Sequence, residues 1–222
     1  MLWDVDRTLL VTGRVTVDAF GAAFTALTGR AWVPRPLDAS GRCDLWIAPA
    51  FFAQHGVDFD DPPTFFRRYA AEYHDRRDRV AAEGALLPGA ADVLAGLAAR
   101  PGVVQSLVTG NIRPVAATKV TAFGLDRHLD LDAGGYGDDS ADRAEITRRA
   151  VQRARERHGP FDALVVVGDT PHDVAAGRAV GALTVGVATG RSPAADLVAA
   201  GADHVLPDLA DAAAATALLA GG

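Results

Sequence analysis

The chain has 222 residues, of which 49% are hydrophobic and 23% are charged, and its formal net charge is −6. These values are typical of a globular protein and exclude a disordered, collagen-like or coiled-coil chain. The length suits one domain, or one domain that carries a smaller inserted one. The mild acidity and the lack of a basic block argue against nucleic acid as a partner, because binding it needs a positively charged surface.

Cysteine usage and hydropathy bear on the cellular compartment. The single cysteine, Cys43, excludes an intrachain disulfide and is typical of a reduced core residue. No apolar run approaches the roughly 18 residues of a membrane span, and the first residues lack the pattern of a signal peptide. We therefore expect a cytoplasmic protein that does not bind membranes. The sequence predicts no particular oligomeric state.

Short apolar, β-branched runs alternate with helical patterns along most of the chain, which is typical of βαβ units and a parallel sheet. The predicted fold class is α/β, with a Rossmann-like core that has helices on both faces of its sheet. Strands are predicted, in chain order, at residues 2–5, 103–108, 128–131 (a weak one), 163–167, 183–187 and 204–206. Helices are predicted at residues 89–100, 114–123, 141–158, 172–180, 194–200 and within 211–222.

A long segment separates the first two predicted strands, at about 90 residues where a short connection is usual. It contains helical patterns at residues 17–27, 45–55 and 65–82 and no clear strand alternation. We interpret residues 13–83 as an inserted all-α domain, and residues 1–12 together with 84–222 as the Rossmann-like core. The predicted hinges are residues 11–14 and 83–88, where Gly84 would allow movement.

Polar residues follow three of the predicted strands, at the edge where ligands bind in an open parallel sheet. These candidate site residues are Asp4 and Asp6, then Thr109, Gly110 and Asn111, and then Asp169 and Asp173. The helix after Asn111 carries Lys119, the only lysine among 22 basic residues. Each motif alone also fits a turn or a helix cap. Four neighbouring carboxylates together favour a bound divalent cation, and Mg²⁺ suits a site that also receives phosphate.

These motifs resemble those of the haloacid dehalogenase superfamily, in the subgroup with a helical cap inserted after the first strand, such as phosphoglycolate phosphatases and β-phosphoglucomutases. Their order and spacing cover almost the whole chain. The matching motifs are Asp4-x-Asp6-x-Thr8-Leu9, Leu107-Val108-Thr109-Gly110-Asn111, Lys119 before Phe123-Gly124-Leu125, Gly168-Asp169-x-x-x-Asp173, and Gly190-x-Ser192 with Ala200-Gly201-Ala202-Asp203.

The resemblance implies a Mg²⁺-dependent phosphatase that acts on a small phosphorylated metabolite. Asp4 would attack phosphorus and form an aspartyl-phosphate, and Asp6 would be the general acid and base. The Mg²⁺ ligands would be Asp4, the Asp6 carbonyl and Asp169, with Asp173 behind them or acting through water. The implied phosphate-binding residues are Thr109, Gly110, Asn111 and Lys119. Lys119 would place its charge between Asp4 and the phosphoryl oxygens.

Single side chains separate the branches of this superfamily. Asp6 argues against a dehalogenase, since a halide leaves without a proton. The lack of lysine in residues 13–83 excludes a phosphonate hydrolase, which uses a lysine of the cap to form a Schiff base. A sugar-phosphate mutase of the same superfamily keeps the same motifs and stays an alternative to the phosphatase.

Two arginines bear on turnover and on the substrate. The family usually has glycine after the second aspartate, where this chain has Arg7. A side chain there would either crowd the turn that carries Asp6 or point away, so a catalytically weak protein that binds phosphorylated metabolites is a third alternative. Arg42 is the candidate for meeting a substrate carboxylate or a second phosphate, or else it forms a surface ion pair with Asp44 or Asp38.

Overall fold

The computed structural model describes residues 1–221. Its strands are β1 (Leu2–Trp3), β2 (Leu10–Val11), β3 (Ala85–Leu86), β4 (Ser106–Leu107), β5 (Val165–Gly168), β6 (Leu183–Val187) and β7 (His204–Leu206). Five of them form a sheet in the order β4-β1-β5-β6-β7, and every pairing in it is parallel. The predicted parallel sheet is confirmed.

Ten α-helices form within residues 1–221: α1 (Val15–Thr28), α2 (Asp44–Gln54), α3 (Pro62–Asp75), α4 (Arg77–Glu83), α5 (Ala90–Ala98), α6 (Arg113–Ala122), α7 (Arg143–His158), α8 (Pro171–Arg178), α9 (Ala194–Ala199) and α10 (Ala212–Ala220). None of these helices is long and apolar enough to cross a bilayer. The end of the predicted terminal segment, residue 222, lies outside the described residues.

The weak strand predicted at residues 128–131 is wrong. Two short 3₁₀ helices, Asp126–His128 and Leu131–Ala133, occupy this region. The Asp130 carboxylate accepts a hydrogen bond from the Asp132 backbone N–H at 3.0 Å, which caps the second of them. Such a local side-chain bond offers the backbone an alternative to strand pairing, and the short apolar run alone does not reveal it.

Helices cover both faces of the sheet, as the sequence predicted. Val165 and Val167 of β5 belong to one buried cluster, which they share with apolar residues of α5 and α10. Val166, between them, belongs to a second cluster together with Ile146 and Ala150 of α7. Because successive side chains of a strand point to opposite faces, the two clusters mark the two sides of the sheet.

The described elements between residues 15 and 83 are the four helices α1 to α4, and the single helix predicted at 65–82 is divided at Arg76 into α3 and α4. These helices enclose a buried aromatic cluster. Ile112 and Val115, at the start of α6, are buried in the same cluster, so α6 packs against the helical segment as well as the sheet. The buried aromatic members are Phe20, Phe24, Phe52, Phe65, Tyr69 and Tyr73.

The two connections to this helical segment meet in a short ribbon that the sequence did not reveal. β2 and β3 are antiparallel, with Leu10 opposite Leu86 and Val11 opposite Ala85. The ribbon lies where the hinges were predicted. A Cβ atom on Gly84 would lie 2.3 Å from the carbonyl oxygen of Val11, so only glycine allows the two connections to approach this closely.

Candidate active site

The strand order places three of the predicted site residues side by side. β1 lies between β4 and β5, so Asp4, Thr109 and Asp169 follow three adjacent parallel strands. The Asp4 backbone N–H still donates to the Val167 carbonyl at 2.9 Å, which fixes Asp4 at the end of the sheet. All three line one cleft of about 310 Å³. Ligands of open α/β sheets bind at this edge.

A buried acidic cluster lies at the bottom of the cleft. Asp4, Asp169 and Asp173 each present one carboxylate oxygen, and these three oxygens lie within 4.8 Å of one another. Burial raises the pKa of Asp4 and of Asp169, and the neighbouring carboxylates raise both further. A bound cation would relieve this repulsion, and a set of hard oxygen ligands suits Mg²⁺. The donor set therefore fits the metal that the family implies.

Both carboxylate oxygens of Asp173 already have partners. One accepts a hydrogen bond from Arg143 at 2.5 Å, and the other accepts from the backbone N–H and the hydroxyl of Thr170, at 3.1 and 2.7 Å. The bonds to Thr170 form the capping box that begins α8. The Asp173 carboxylate is thus anchored by Arg143 and by the start of α8.

Arg143, the first residue of α7, is the functional residue that the sequence interpretation missed. Its Nη2 donates to Asp4 at 2.6 Å and to Asp173 at 2.5 Å, and its side chain is only 9% exposed. Asp142 caps the helix by accepting from the Ala144 N–H, which fixes the position of Arg143. Within residues 1–221 the buried Nε of Arg143 has no hydrogen-bond partner. A phosphoryl oxygen is a suitable acceptor for such a donor.

Lys119 contacts Asp6 and not Asp4. Its Nζ donates to the two carboxylate oxygens of Asp6, at 2.8 and 2.7 Å, and to Asn111 Oδ1 at 2.7 Å. The side chain is 1% exposed, and Nζ lies 5.8 Å from the ring centroid of Tyr73 in α3. Three acceptors for three N–H groups leave no donor for a ligand. In this arrangement Lys119 neutralises Asp6, and its expected place between Asp4 and a phosphoryl group stays a prediction.

The Asp6 carboxylate is separate from the acidic cluster and half-exposed. Besides Lys119, it accepts from Asn111 Nδ2 at 2.6 Å. Burial raises its pKa, but the charge and hydrogen bond of Lys119, the hydrogen bond of Asn111 and a smaller effect of Arg7 outweigh burial and lower the pKa below its usual value. Asp6 is thus ionised in this arrangement, and only its backbone carbonyl remains as an expected metal ligand.

The Thr109 hydroxyl lines the cleft and accepts two hydrogen bonds from Asn111. Its Oγ1 accepts hydrogen bonds from the backbone N–H and the side-chain Nδ2 of Asn111, at 3.3 and 2.8 Å. No acceptor for its own proton lies within residues 1–221. Because Thr109 is fully buried at the cleft bottom, this proton is available to a ligand oxygen.

Gly110 lies against the loop that precedes α2. Its carbonyl accepts from the Asp44 backbone N–H at 2.8 Å, and the Asp44 carboxylate accepts from the Ile112 N–H at 2.8 Å. A Cβ atom on Gly110 would lie 2.3 Å from the Arg42 carbonyl oxygen. Burial raises the pKa of Asp44 to about 7 despite the bond from Ile112. The segment 42–44 is therefore tightly joined to the residues that follow β4.

Arg42 lies at the entrance of the cleft. Arg42 is exposed, and its guanidinium stacks over the Trp46 ring, 4.6 Å from the ring centroid. The surface ion pair with Asp38 or Asp44 that the sequence left open is not formed within the described residues. Arg42 thus remains available to a ligand.

Comparison with known proteins identifies the family of this chain. The family model described as haloacid dehalogenase-like hydrolase matches residues 1–178. A search among curated proteins gives no match. Among solved structures, CbbY from Rhodobacter sphaeroides in complex with phosphate is 25% identical, with a TM-score of 0.69 and coverage of 95% of this chain and 94% of that chain.

Two further solved structures share the fold at lower identity. A haloacid dehalogenase-like family hydrolase from Streptococcus pneumoniae is 20% identical, with a TM-score of 0.65 and coverage of 96% of both chains. A candidate β-phosphoglucomutase from Bacteroides vulgatus is 17% identical, with a TM-score of 0.63 and coverage of 95% of this chain and 84% of that chain. Since the family model spans most of its length, the chain belongs to the haloacid dehalogenase-like hydrolases.

Proposed function

We propose that this hydrolase is a Mg²⁺-dependent phosphatase that acts on a small phosphorylated metabolite through an aspartyl-phosphate on Asp4. The observation that carries the proposal is the cleft bottom, where the Asp4 carboxylate meets two other carboxylates and lines the cleft with Thr109. The buried Nε–H of Arg143 has no acceptor within residues 1–221, and the Thr109 hydroxyl, which accepts two bonds from Asn111, still has its own proton to donate. A cation and a phosphoryl group together satisfy this set of carboxylates and donors.

Residues 13–83 would act as the cap over a core made of residues 1–12 and 84–222. The cleft supports this division, because residues of both segments line it. Leu37, Ser40 and Ile47 come from the proposed cap, whereas Asp4 and Asp169 come from the core. The substrate would lie between them, and the cap would exclude water during the first chemical step.

Mg²⁺, when bound, neutralises the negative charges of the nucleophile and the phosphoryl group. Asp4, the Asp6 carbonyl and Asp169 would hold it, and Asp173, which is anchored by Arg143 and Thr170, would act through water. The same donor set would bind Mg²⁺ weakly if Asp169 were replaced by asparagine, because one negative charge would be lost.

In the first step, an Asp4 oxygen attacks phosphorus and the bond from phosphorus to the leaving oxygen breaks. Arg143, together with a hydrogen bond from Thr8 at 3.3 Å, fixes the orientation of the Asp4 carboxylate. Thr109 and Arg143 donate to the phosphoryl oxygens as their charge develops. The leaving oxygen takes its proton from Asp6, which must bind that proton and move from Lys119 to deliver it.

In the second step, water attacks the phosphorus of the aspartyl-phosphate and the bond to Asp4 breaks, which releases inorganic phosphate. Asp6 accepts the proton of the attacking water. The ionised state in which Lys119 and Asn111 hold Asp6 is the state that a base requires. Asp6 would then carry the proton needed for the next first step.

Release of inorganic phosphate from p-nitrophenyl phosphate and a panel of phosphorylated metabolites tests the proposal, with Mg²⁺ or EDTA present. We expect turnover that requires Mg²⁺ and falls by at least about 10³-fold in Asp4→Asn, because the nucleophile is lost. Asp60→Asn, which changes an exposed aspartate that does not line the cleft, is the matched control.

The other two functions have distinct outcomes in the same experiment. Isomerisation of a hexose monophosphate without phosphate release would identify a mutase. Binding of phosphate with no turnover above that of Asp4→Asn would identify a catalytically weak binding protein. Detection of a phosphorylated Asp4 peptide after acid quenching would support the covalent step in either enzyme.

A further inference from the structure

The backbone at Arg7 adopts a conformation that L side chains avoid. Its φ is 65°, and it is the only residue other than glycine with a positive φ in residues 1–221. The turn is fixed on both sides, because the Arg7 N–H donates to the Leu10 carbonyl at 2.8 Å and the Arg7 carbonyl accepts from the Thr189 hydroxyl. Glycine would adopt this conformation at a lower free energy. An outlier of this kind next to a reactive residue is a reason to look for a function.

Arg7 is one of three exposed arginines at the entrance of the cleft. Arg7, Arg42 and Arg191 all line it, and within residues 1–221 none of their guanidinium groups forms an ion pair or a hydrogen bond. At the bottom of the cleft the opposite holds, because Arg143 and Lys119 are both buried and paired with carboxylates. Asp4, Asp6 and Asp173 are therefore paired with cations, whereas the guanidinium groups of the three entrance arginines have no carboxylate partner among residues 1–221.

We propose that Arg7 and Arg191, together with Arg42, form a subsite for a second anionic group of the substrate, a carboxylate or a second phosphate. The proposal rests on the proposed phosphatase function and names the class of its substrate as a doubly anionic metabolite. Guanidinium groups suit this task, since they bind carboxylates and phosphates in a bidentate manner. A cleft of about 310 Å³ that reaches from buried Asp4 to the exposed arginines holds one small molecule.

The subsite differs from the single cap arginine that the sequence suggested. Arg42 lies in the proposed cap, whereas Arg7 follows β1 and Arg191 follows β6, so both belong to the proposed core. The core would then recognise the distal part of the substrate as well as the phosphoryl group. Arg7 would do so from the turn that also carries Asp6.

Two pairs of substrates, matched except for the second anion, test the proposal in the presence of Mg²⁺. Glucose 1,6-bisphosphate is compared with glucose 1-phosphate, and 3-phosphoglycerate with glycerol 3-phosphate. In at least one pair, we expect kcat/KM of the native chain to be about ten-fold or more higher for the doubly anionic member. The first pair reports a second phosphate and the second pair a carboxylate.

Three variants test whether Arg7 and Arg191 cause the preference for the doubly anionic substrate. Arg7→Gln removes the charge and keeps a side chain in the unfavourable conformation, Arg7→Gly removes both, and Arg191→Gln removes the other core charge. Each is expected to reduce the ratio of kcat/KM within the preferred pair about five-fold or more, mainly through KM of the doubly anionic member. Arg100→Gln is the control, because Arg100 is exposed, lies outside the cleft and lacks a side-chain partner among the described residues.

Dissociation constants of the same four compounds for Asp4→Asn, measured by calorimetry, provide a readout that does not depend on turnover. If the native chain hydrolyses the compounds but treats both members of each pair alike, the subsite is wrong and the phosphatase stands. If no compound is hydrolysed, the proposed function fails, and the ratio of dissociation constants still decides the subsite. The proposed subsite would also be overturned if the ratio of kcat/KM within each pair were the same in the native chain, Arg7→Gln and Arg191→Gln.

Discussion

Asp4 and Asp6 lie two residues apart at the end of one strand, yet their surroundings are opposite. Asp4 is buried among two other carboxylates, which together with burial raises its pKa, and one guanidinium holds it. Asp6 is half-exposed and bound by Lys119 and Asn111, which outweigh burial and lower its pKa. Two residues of the same type thus differ through their surroundings alone, and this difference is the basis on which the proposed mechanism assigns attack to Asp4 and proton exchange to Asp6.

Each of these aspartates has a cation of its own, and the two cations come from different helices. Arg143 begins α7 and holds Asp4 together with Asp173. Lys119 lies in α6, which also packs against the helical segment through Ile112 and Val115. Removal of each cation should therefore give a different kinetic signature.

The largest effect is expected from Arg143→Met, which leaves Asp4 and Asp173 without their buried counter-charge. Loss of one partner of a buried ion pair typically costs about 3–5 kcal/mol of stability, and loss of a donor to the phosphoryl group costs about 10²- to 10³-fold in kcat. Urea unfolding and phosphate release measure the two effects. Arg143→Lys keeps the charge and should recover most of the stability but only part of kcat, whereas normal kcat in both variants would contradict the proposed role.

Lys119→Met removes the cation that is paired with Asp6. If Lys119 acts through Asp6, kcat for an alkyl phosphate should fall about 10- to 100-fold, because the leaving oxygen of this substrate needs a proton. For p-nitrophenyl phosphate, whose leaving group needs no proton, kcat should fall less. Asp6→Asn should show the same selectivity. Equal losses for both substrates, with a raised KM, would instead support the phosphate-binding role that the sequence suggested for Lys119.

Asp44 differs from both Asp4 and Asp6, because it is a buried carboxyl group with no ion-pair partner among the described residues. Its pKa is raised from 3.8 to about 7, so the folded chain binds this proton more tightly than the unfolded chain. The resulting stability is present at low pH and is lost as the pH rises towards 7, by up to about 4 kcal/mol. Asp44→Asn lacks this dependence.

Urea unfolding of the native chain and Asp44→Asn at pH 4 and pH 8 measures the effect. The free energy of unfolding of the variant, relative to the native chain, should be higher at pH 8 than at pH 4. A difference that stays constant over this range would show that the pKa of Asp44 is not raised in the folded chain. The asparagine oxygen can still accept the bond from the Ile112 N–H.

The smallest effect is expected from Arg7→Gly, which removes a cation near Asp6 and relieves the left-handed backbone. We expect the free energy of unfolding to rise by about 1 kcal/mol, measured by urea or thermal unfolding. Arg100→Gly is the control, since its backbone φ is ordinary and glycine there should slightly reduce stability. A loss of stability in Arg7→Gly would show that the side chain contributes more than the backbone conformation costs.

The sequence predicted the features that depend on hydrophobic periodicity and on the order of strands and helices along the chain. Strand ends in a parallel sheet meet at one edge, so the positions of Asp4, Thr109 and Asp169 followed from the alternation of strands and helices. Arg143 could not be singled out, because 21 of the 22 basic residues are arginines and nothing in the sequence marks the one that faces the cleft. The partner of Lys119 was also unpredictable, since composition does not give the direction of a side chain.

The β2–β3 ribbon has a consequence for how such a chain can change during evolution. The polypeptide leaves the parent fold at Val11 and returns opposite it at Ala85, so the excursion begins and ends at one place. An insert of any length can occupy that place without shifting the register of a single strand of the main sheet, and longer loops cost little extra entropy. Under the proposed division into cap and core, the helical segment is therefore free to change where it neither covers the apolar start of α6 nor joins Gly110 through Asp44.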